Sequence, residues 1–242
     1  MKISVKNKIS GLLSLLHFDN RFTLIFSRIF LRKYGLNIYR KGNLEILVDH
    51  NGGDENGTRM VLVSDMYKRH LVQINNTRPL NVLDLGANGG GFFILLHLMN
   101  FNLKKIVAFE MNPYTFSRLF FNINHNLSVP MILKNQAVAG NRKSLKLPFT
   151  KGSTGDSLYK KSTEGNLFKI NCITLEDIYH QHFFNDIIDI CKIDVEGAEH
   201  EIFFKVPKMI HSLNYLIWGM YLTQVATIYC GHGPIPWNDQ VI

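Results

Sequence analysis

The chain has 242 residues, of which 46% are hydrophobic and 19% charged, and its formal net charge is +8. This length suits one α/β domain with an accessory segment, so a second full domain is not expected. The three cysteines, Cys172, Cys191 and Cys230, have no C-x-x-C spacing, which argues against a disulfide framework and a zinc site. A reducing cytoplasm therefore fits best.

The positive charge is concentrated at the N-terminus. Residues 1–41 contain nine Lys or Arg and one acid, whereas the remaining 201 residues contain 18 of each sign. Within residues 9–34, apolar residues recur at helical spacing and would form one face of a helix. Three arginines would lie together on the opposite face. The apolar residues are Leu12, Leu13, Leu16, Phe22, Ile25, Phe26 and Ile29, and the arginines are Arg21, Arg28 and Arg32.

Two interpretations of this basic segment stay open. Its apolar face could pack on the core, or it could lie on an anionic membrane surface that attracts the basic residues. We expect the apolar face to pack and the arginines to attract lipid as a secondary role, peripherally at the inner face of the membrane. No run of residues approaches the about 20 apolar residues of a membrane-spanning helix.

Residues 1–75 are expected to form the accessory segment and residues 76–242 the main domain. Within the accessory segment, the pattern predicts two strands, Leu44–Asp49 and residues 58–63, joined by a turn-rich stretch. Ser64 is expected to cap a helix that runs to about Gln73. The turn-rich stretch lacks the ligands of a calcium loop.

Residues 82–91 predict a strand, a tight glycine turn and the start of a helix, an arrangement typical of a nucleotide-type cofactor site. Glycines let a backbone approach a ligand closely. Asp84 would repel the pyrophosphate of a dinucleotide, and the spacing of Gly86 and Gly89 misses the G-x-G-x-x-G fingerprint. S-adenosylmethionine carries an ammonium and a sulfonium instead, so an acidic residue here favours that cofactor over a nicotinamide.

A second buried strand, over residues 105–109, ends at Glu110. A carboxylate at this position can accept hydrogen bonds from both ribose hydroxyls of a cofactor. The alternative is a carboxylate that stabilises the start of the helix at Pro113 through the helix dipole.

The third strand is expected at about residues 131–139, with Gln136 and Ala137 near its end. A ligand of an open parallel sheet lies across the carboxyl ends of the strands, so Gln136 is positioned to contact the adenine. A solvated amide is the alternative. Residues 142–171 are polar and irregular and fit a hairpin or mobile flap, because strand-like character resumes at 167–173.

Carboxylates gather again after the buried strand predicted at residues 187–193. Asp194 and Glu196 follow this strand, beside the expected position of the methyl group, and could act as a general base or bind a substrate hydroxyl. They could equally be carboxylates at a helix N-terminus. The sequence at Asn112 partly matches N-P-P-Y, a signature of enzymes that methylate amino groups. In those enzymes the signature follows the fourth strand, whereas here the partial match follows the second. This difference favours hydroxyl over amino substrates.

These blocks together resemble the FkbM family of S-adenosylmethionine-dependent methyltransferases. Five blocks occur in the family's order across about residues 44–205. They are Val82-Leu83-Asp84-Leu85-Gly86-Ala87-Asn88-Gly89-Gly90, Phe109-Glu110-Met111-Asn112-Pro113, Gln136-Ala137-Val138, Ile173-Thr174-Leu175-Glu176-Asp177 and Lys192-Ile193-Asp194-Val195-Glu196-Gly197-Ala198-Glu199.

The resemblance implies an α/β fold of the class I methyltransferase (Rossmann-like) type, with a mostly parallel sheet and an N-terminal helical and hairpin extension. It also implies O-methylation of a hydroxyl of a sugar, a polysaccharide or another small metabolite. Asp84 and the turn with Gly86, Asn88 and Gly89 would hold the methionine part of the cofactor. Glu110 with Met111 would hold the ribose, Gln136 with Ala137 the adenine, and Asp194 with Glu196 the reacting side.

The tail departs from the family pattern. Members usually continue after the fifth strand with an acidic residue and two further strands, whereas here Leu216-Ile217-Trp218 runs into Gly219 and only about twenty residues follow Tyr221. We therefore expect a truncated or rebuilt C-terminal hairpin. The alternative function is a non-catalytic or weakly active glycan- or membrane-surface-binding protein with the same fold. Nucleic acid is not an expected partner, because the aromatic residues of the basic segment follow helical spacing.

Overall fold

The structure is a computed structural model. It describes residues 11–31, 33–52, 54–141, 143–149, 165–184, 186–195, 198, 201–202, 213–219 and 226–230.

The N-terminal part forms a 3₁₀ turn (Ser14–His17), helix α1 (Arg21–Phe30) and a hairpin of strands β1 (Leu36–Lys41) and β2 (Leu44–Asp49). Gly42 occupies the hairpin turn with φ +58, in the left-handed region that favours glycine. The side chain of Asn20 donates to the carbonyl of Ile38 at 2.8 Å and accepts from the amide of Arg40 at 3.0 Å. Asn20 therefore ties the start of α1 to the hairpin.

Helix α2 follows, π-helical over Glu55–Met60 and α-helical over Val61–Val63, and then the short helix α3 (Lys68–Leu71). The expected strand at 58–63 is wrong. The helix expected over 64–73 is present but shorter, and Ser64 ends the preceding helix instead of capping this one. Tertiary contacts explain the helix at 55–63. Asp54 is fully buried against Arg118, whose Nη2 lies 2.8 Å from Oδ1, and Glu55 accepts from Arg59 at 2.7 Å one turn along the helix. Such pairing outweighs local turn propensity.

The remaining elements alternate strands and helices. In chain order they are β3 (Leu80–Leu85), α4 (Gly91–Leu98), β4 (Leu103–Phe109), α5 (Pro113–Asn126), β5 (Met131–Lys134), β6 (Ala137–Val138), β7 (Lys143–Phe149), β8 (Asn166–Ile173), α6 (Leu175–His182), β9 (Ile188–Ile193), β10 (Leu213–Gly219) and β11 (Ala226–Cys230).

The central sheet has the strand order β11-β10-β9-β3-β4-β5. The five strands from β10 to β5 are parallel, and β11 pairs antiparallel with β10 at the edge. The Rossmann-like sheet expected from the sequence is therefore confirmed. The strand order reverses at β3, because β4 and β5 are added on one side of it and β9 and β10 on the other, and ligands of such sheets bind at this switch point. The antiparallel β11 supplies a closing strand beyond β10.

The strand expected at 131–139 is divided in two. β5 belongs to the central sheet, whereas β6 joins a second sheet of order β6-β8-β7. Asn135 lies at the break, and its Nδ2 donates to the carbonyls of Glu110 and Met111 at 2.8 and 3.0 Å. β7 and β8 form an antiparallel hairpin, as one interpretation of residues 142–171 predicted. The centre of the expected flap, residues 150–164, lies outside the described residues.

One hydrophobic core joins the N-terminal elements to the central sheet. Leu15, Leu24 and Ile46 belong to the same buried cluster as Val82 and Phe92. The N-terminal part therefore packs directly on β3 and α4. Within the described ranges, no helix has the length and apolar character needed to cross a membrane.

The orientation of α1 differs from the expected packing. The helix buries Leu24 and Ser27, while Ile25 packs partly on the core. The opposite face of α1 is exposed: Phe22, Phe26, Ile29 and Phe30 are 74%, 53%, 43% and 68% exposed. Leu12 packs on the core as expected, but Leu13 and Leu16 are more than half exposed. The helical spacing correctly predicted an apolar face, but it could not indicate which side the hairpin and core would cover.

Candidate functional site

The glycine turn follows β3 at the carboxyl edge of the central sheet. Gly86, Asn88 and Gly90 have φ of +80, +49 and +84, which produces the tight turn. The amide of Gly86 donates to the carbonyl of Phe109, the last residue of β4, at 2.9 Å. A Cβ added at Gly86 would lie 1.9 Å from the carbonyl oxygen of Asp194. Glycine at position 86 therefore allows the ends of β3 and β9 to meet.

The other glycines of the turn make room for α2. A Cβ at Gly89 would lie 2.4 Å from Oγ1 of Thr58, and one at Gly91 would lie 2.7 Å from the Cα of Thr58. On the α2 side, a Cβ at Gly57 would lie 2.3 Å from Cγ of Asn88. From the sequence alone, glycines in this turn are expected to allow the close approach of a ligand. In the structure they serve a close approach between two segments of the protein.

Glu110 joins two backbone segments at the end of β4. Its carboxylate, in a residue only 8% exposed, accepts from the amide of Asn88 at 3.0 Å and from the amide of Asn112 at 2.8 Å. Asn112 in turn caps α5 by accepting from the amide of Tyr114 at 2.9 Å. Glu110 thus lies at the predicted carboxyl edge and supports the residue that caps α5, while its contact with the ribose of a cofactor stays a prediction.

Asp84 and Lys192 form a buried ion pair beneath the turn. Nζ of Lys192 lies 2.9 Å from Oδ1 of Asp84, 3.1 Å from the carbonyl of Gly86 and 3.5 Å from Oδ2 of Asp194. Burial alone would lower the pKa of Lys192, but the two carboxylates outweigh burial and raise it above its ordinary value. Lys192 is therefore an ammonium that balances Asp84, and direct contact of Asp84 with a cofactor stays a prediction.

Asp194 is the more accessible carboxylate of this group. Its amide donates to the carbonyl of Leu85 at 2.9 Å, and its side chain is 40% exposed. The hydroxyl of Tyr67 is hydrogen-bonded to the Asp194 carboxylate, and burial raises the pKa of Tyr67 to about 12. Tyr67 therefore stays protonated and donates to Asp194. Glu196, the second predicted catalytic residue, lies outside the described residues.

The predicted adenine contacts lie beside the end of β4. The amide of Glu110 donates to the carbonyl of Lys134 at 3.1 Å, so the chain leaving β5 runs next to Glu110. Gln136 is half-buried just beyond β5, and Ala137 is buried in β6. Met111 packs against the small core that contains Ala137. Gln136 and Ala137 therefore follow directly on the segment that runs beside Glu110, with Ala137 in the second sheet, and their contact with an adenine stays a prediction.

A family model for the methyltransferase FkbM domain matches residues 84–219, which is more than half of the chain. The chain belongs to the FkbM methyltransferase family. No curated protein and no solved structure gives a significant match. The matched range includes the glycine turn, Glu110, Lys192 and Asp194, and it leaves α1, the hairpin and α2 outside.

An FkbM methyltransferase needs a methyl donor, and the carboxyl edge fits a cationic one. Asp84, Glu110 and Asp194 place three carboxylates near the turn, and the ammonium of Lys192 lies between Asp84 and Asp194. Oδ2 of Asp84 is also buried without a hydrogen-bond partner among the described residues. This chemistry suits a positively charged donor better than a pyrophosphate.

Sequence reasoning missed three residues of this FkbM methyltransferase site. Lys192 belongs to a family motif, but a lysine in a buried strand also indicates a buried carboxylate partner. Tyr67 falls in the helix expected after Ser64, where its position in the sequence indicates packing rather than a contact with Asp194. The contact of Thr58 with the glycine turn had no signal in the sequence, because it depends on how α2 packs.

Proposed function

We propose that this FkbM methyltransferase uses S-adenosylmethionine and methylates a hydroxyl of a sugar or another small metabolite. The observation that carries the proposal is the carboxylate of Glu110, which the amides of Asn88 and Asn112 hold at 3.0 and 2.8 Å beside the glycine turn. A carboxylate fixed by two backbone donors is oriented before a ligand arrives, so hydrogen bonds to ribose hydroxyls cost little reorganisation.

The charge of the site supports this cofactor over a dinucleotide. Coulomb repulsion between two like charges about 4 Å apart is on the order of 4 kcal/mol near a protein surface. A pyrophosphate at the turn would meet Glu110 and Asp194, and Lys192 is already engaged by Asp84 at 2.9 Å. The ammonium and sulfonium of S-adenosylmethionine would instead be attracted by the same carboxylates.

Asp194 is the proposed general base. When bound, S-adenosylmethionine supplies a methyl group on a sulfonium, and an oxygen–carbon bond forms as the carbon–sulfur bond breaks. Asp194 would take the proton that the acceptor hydroxyl loses, because its carboxylate is 40% exposed and follows β9 at the switch point. Tyr67 and Lys192 would hold this carboxylate in position. Glu196 is the second candidate for the base.

The surroundings of Asn112 support a hydroxyl acceptor over an amino acceptor. An asparagine that binds an amino substrate needs its side-chain oxygen available to accept from the amino group. Asn112 is only 1% exposed, and its side-chain oxygen accepts from the amides of Tyr114 and Thr115 at the start of α5. This side chain is therefore committed to helix capping.

Calorimetric titration of the full chain with S-adenosylmethionine, and separately with NAD, tests the cofactor. We expect binding of S-adenosylmethionine alone, and binding of NAD alone would contradict the proposal. Transfer of a labelled methyl group to a panel of sugars and sugar nucleotides tests the reaction, with deoxy analogues that lack single hydroxyls as controls. Asp194→Asn should lower kcat by a much larger factor than it raises the cofactor dissociation constant, because it removes the base as well as one of the carboxylates that attract the cofactor.

The alternative is a protein that keeps the fold and binds glycans or membranes without turnover. The antiparallel pairing of β11 with β10 favours the enzyme. It means that the sheet continues past β9 through β10 and ends in an antiparallel strand, so the C-terminal part of the sheet is not lost. Tight binding of S-adenosylmethionine with no transfer to any hydroxyl of the panel would favour the alternative.

A further inference from the structure

The outward face of α1 is an exposed apolar surface next to the most basic part of the chain. We define the α1 surface as Phe22, Phe26, Ile29 and Phe30, each between 43% and 74% exposed. The rings of Phe26 and Phe30 lie 4.9 Å apart, so they form one continuous patch along the helix. Aromatic side chains of this size are costly to leave in water, and clustered exposure of them marks an interaction site.

The helix is held so that this face cannot turn inward. Leu24 and Ser27 are buried on the opposite side. Arg28 donates from Nη2 to Oε2 of Glu55 at 3.0 Å, which fixes the helix to α2. The α1 surface is therefore a rigid feature of the fold.

The charge around the α1 surface indicates the kind of partner. The guanidinium of Arg21 lies 5.3 Å from the ring of Phe22, and the ammonium of Lys33 lies 4.9 Å from the ring of Tyr34. Arg21, Lys33 and Tyr34 are all exposed. Residues 1–41 carry nine basic residues and one acid, whereas the rest of the chain is neutral. An apolar helix face flanked by cations is complementary to an anionic lipid bilayer, whose acyl region receives the rings and whose headgroups attract the cations.

We propose that the α1 surface docks this FkbM methyltransferase on an anionic membrane, with α1 lying in the plane of the interface. A helix of ten residues is about 15 Å long and does not cross a bilayer, so the docking is peripheral. Self-association through the same surface is disfavoured, because it would bring two strongly basic segments together. Arg28 is not part of the lipid contact, since Glu55 holds its guanidinium.

Sedimentation of the full chain with vesicles tests the proposal. Vesicles of neutral phosphatidylcholine are compared with vesicles that contain about one third phosphatidylserine or phosphatidylglycerol. We expect binding to the anionic vesicles that weakens at about 0.5 M salt, where the Debye length falls to about 4 Å. Phe22→Gln/Phe26→Gln/Phe30→Gln should weaken this binding more than tenfold.

A matched control replaces three apolar residues that are equally exposed elsewhere on the protein. Val72→Gln/Phe120→Gln/Leu167→Gln removes side chains that are 72%, 53% and 71% exposed and should leave vesicle binding unchanged.

Arg21→Gln/Lys33→Gln should weaken binding to anionic vesicles by roughly fivefold per removed charge and leave the weak binding to neutral vesicles unaltered. Circular dichroism and the cofactor dissociation constant check that each variant is folded.

Three results would overturn the proposal. The first is a full chain that does not sediment with anionic vesicles. The second is a phenylalanine variant that binds them as well as the full chain does. The third is a full chain that binds no lipid but forms a concentration-dependent dimer, seen by light scattering, that the phenylalanine variant does not form. That result would assign the α1 surface to a second copy of the chain.

Discussion

Lys192 and Asp84 face each other on adjacent parallel strands, with Nζ 2.9 Å from Oδ1 and side chains only 5% and 0% exposed. They are register partners in the pairing of β3 with β9. The pair therefore lies at the switch point of the sheet, directly before the glycine turn and Asp194. Because Nζ also contacts the carbonyl of Gly86 at 3.1 Å, the ammonium fixes the turn as well as the strands.

Replacing Lys192 should be strongly destabilising. Lys192→Met leaves the carboxylate of Asp84 buried and uncompensated, which typically costs about 3–5 kcal/mol of the free energy of unfolding. Urea denaturation followed by circular dichroism measures the loss. The double variant Asp84→Leu/Lys192→Met should recover much of it, because neither charge then remains buried. A double variant no more stable than Lys192→Met would contradict an ion-pair role.

Glu110→Ala should weaken binding of S-adenosylmethionine more than tenfold. The change removes charge-assisted hydrogen bonds of about 1.5–3 kcal/mol each and frees the amides of Asn88 and Asn112 that orient the turn. Calorimetry measures the dissociation constant. The control is Glu176→Ala on α6, whose side chain is 65% exposed and pairs with His180 at 4.0 Å. An unchanged constant in Glu110→Ala would remove Glu110 from the site.

The carboxyl edge of the sheet could be predicted because its signals are local. Glu110 follows an apolar strand directly, and Thr174 with Asp177 forms a capping box at the start of α6. In each case the residue and its structural context lie within a few positions of sequence. The strand order then brings Glu110 and Asp194 to the same carboxyl edge of the sheet. This strand order was predictable from the resemblance to a known family.

The regions that were mispredicted depend on distant partners. Residues 55–60 form a helix because Asp54 reaches Arg118 and Glu55 reaches Arg28, which are 64 and 27 positions away. The outward orientation of α1 depends on which side the hairpin covers. The pairing of Asp84 with Lys192 depends on parallel register across 108 positions. No window of local sequence contains these relationships.

Gly86→Ala should destabilise the protein by more than Gly42→Ala does. Both glycines have positive φ, +80 and +58, so each alanine carries a backbone cost of about 1–2 kcal/mol. A Cβ at Gly86 would also lie 1.9 Å from the carbonyl oxygen of Asp194, whereas a Cβ at Gly42 has no atom within 4 Å. Overpacking adds about 1–3 kcal/mol. Denaturant unfolding of the two variants isolates this difference, and equal losses would contradict the close contact of β3 and β9.

A second group of buried titratable residues lies in the N-terminal part. Nε2 of His50 lies 2.7 Å from the hydroxyl of Tyr39, at hydrogen-bond distance. Burial raises the pKa of Tyr39 to about 12 and lowers the pKa of His50 to about 4. The charges of Glu55, Arg28 and Arg59 act on His50 in opposite directions and less strongly than burial does. His50 is therefore neutral in the folded protein throughout the physiological pH range.

Acidification should destabilise the folded protein through His50. Between its ordinary pKa of about 6.5 and the folded value of about 4, the unfolded chain binds a proton that the folded chain does not, so this contribution to stability falls as pH decreases through that window. The loss should reach about 1–2 kcal/mol, less than the full shift implies, because water screens the partly exposed ring.

His50→Gln keeps a group that can hydrogen-bond Tyr39 and does not titrate. Urea denaturation of both proteins from about pH 7 to about pH 5 should show the stability advantage of the natural chain shrinking as pH falls, since the acidic groups common to both cancel in the comparison. Two pH profiles that run parallel would mean that His50 titrates alike in the folded and unfolded states.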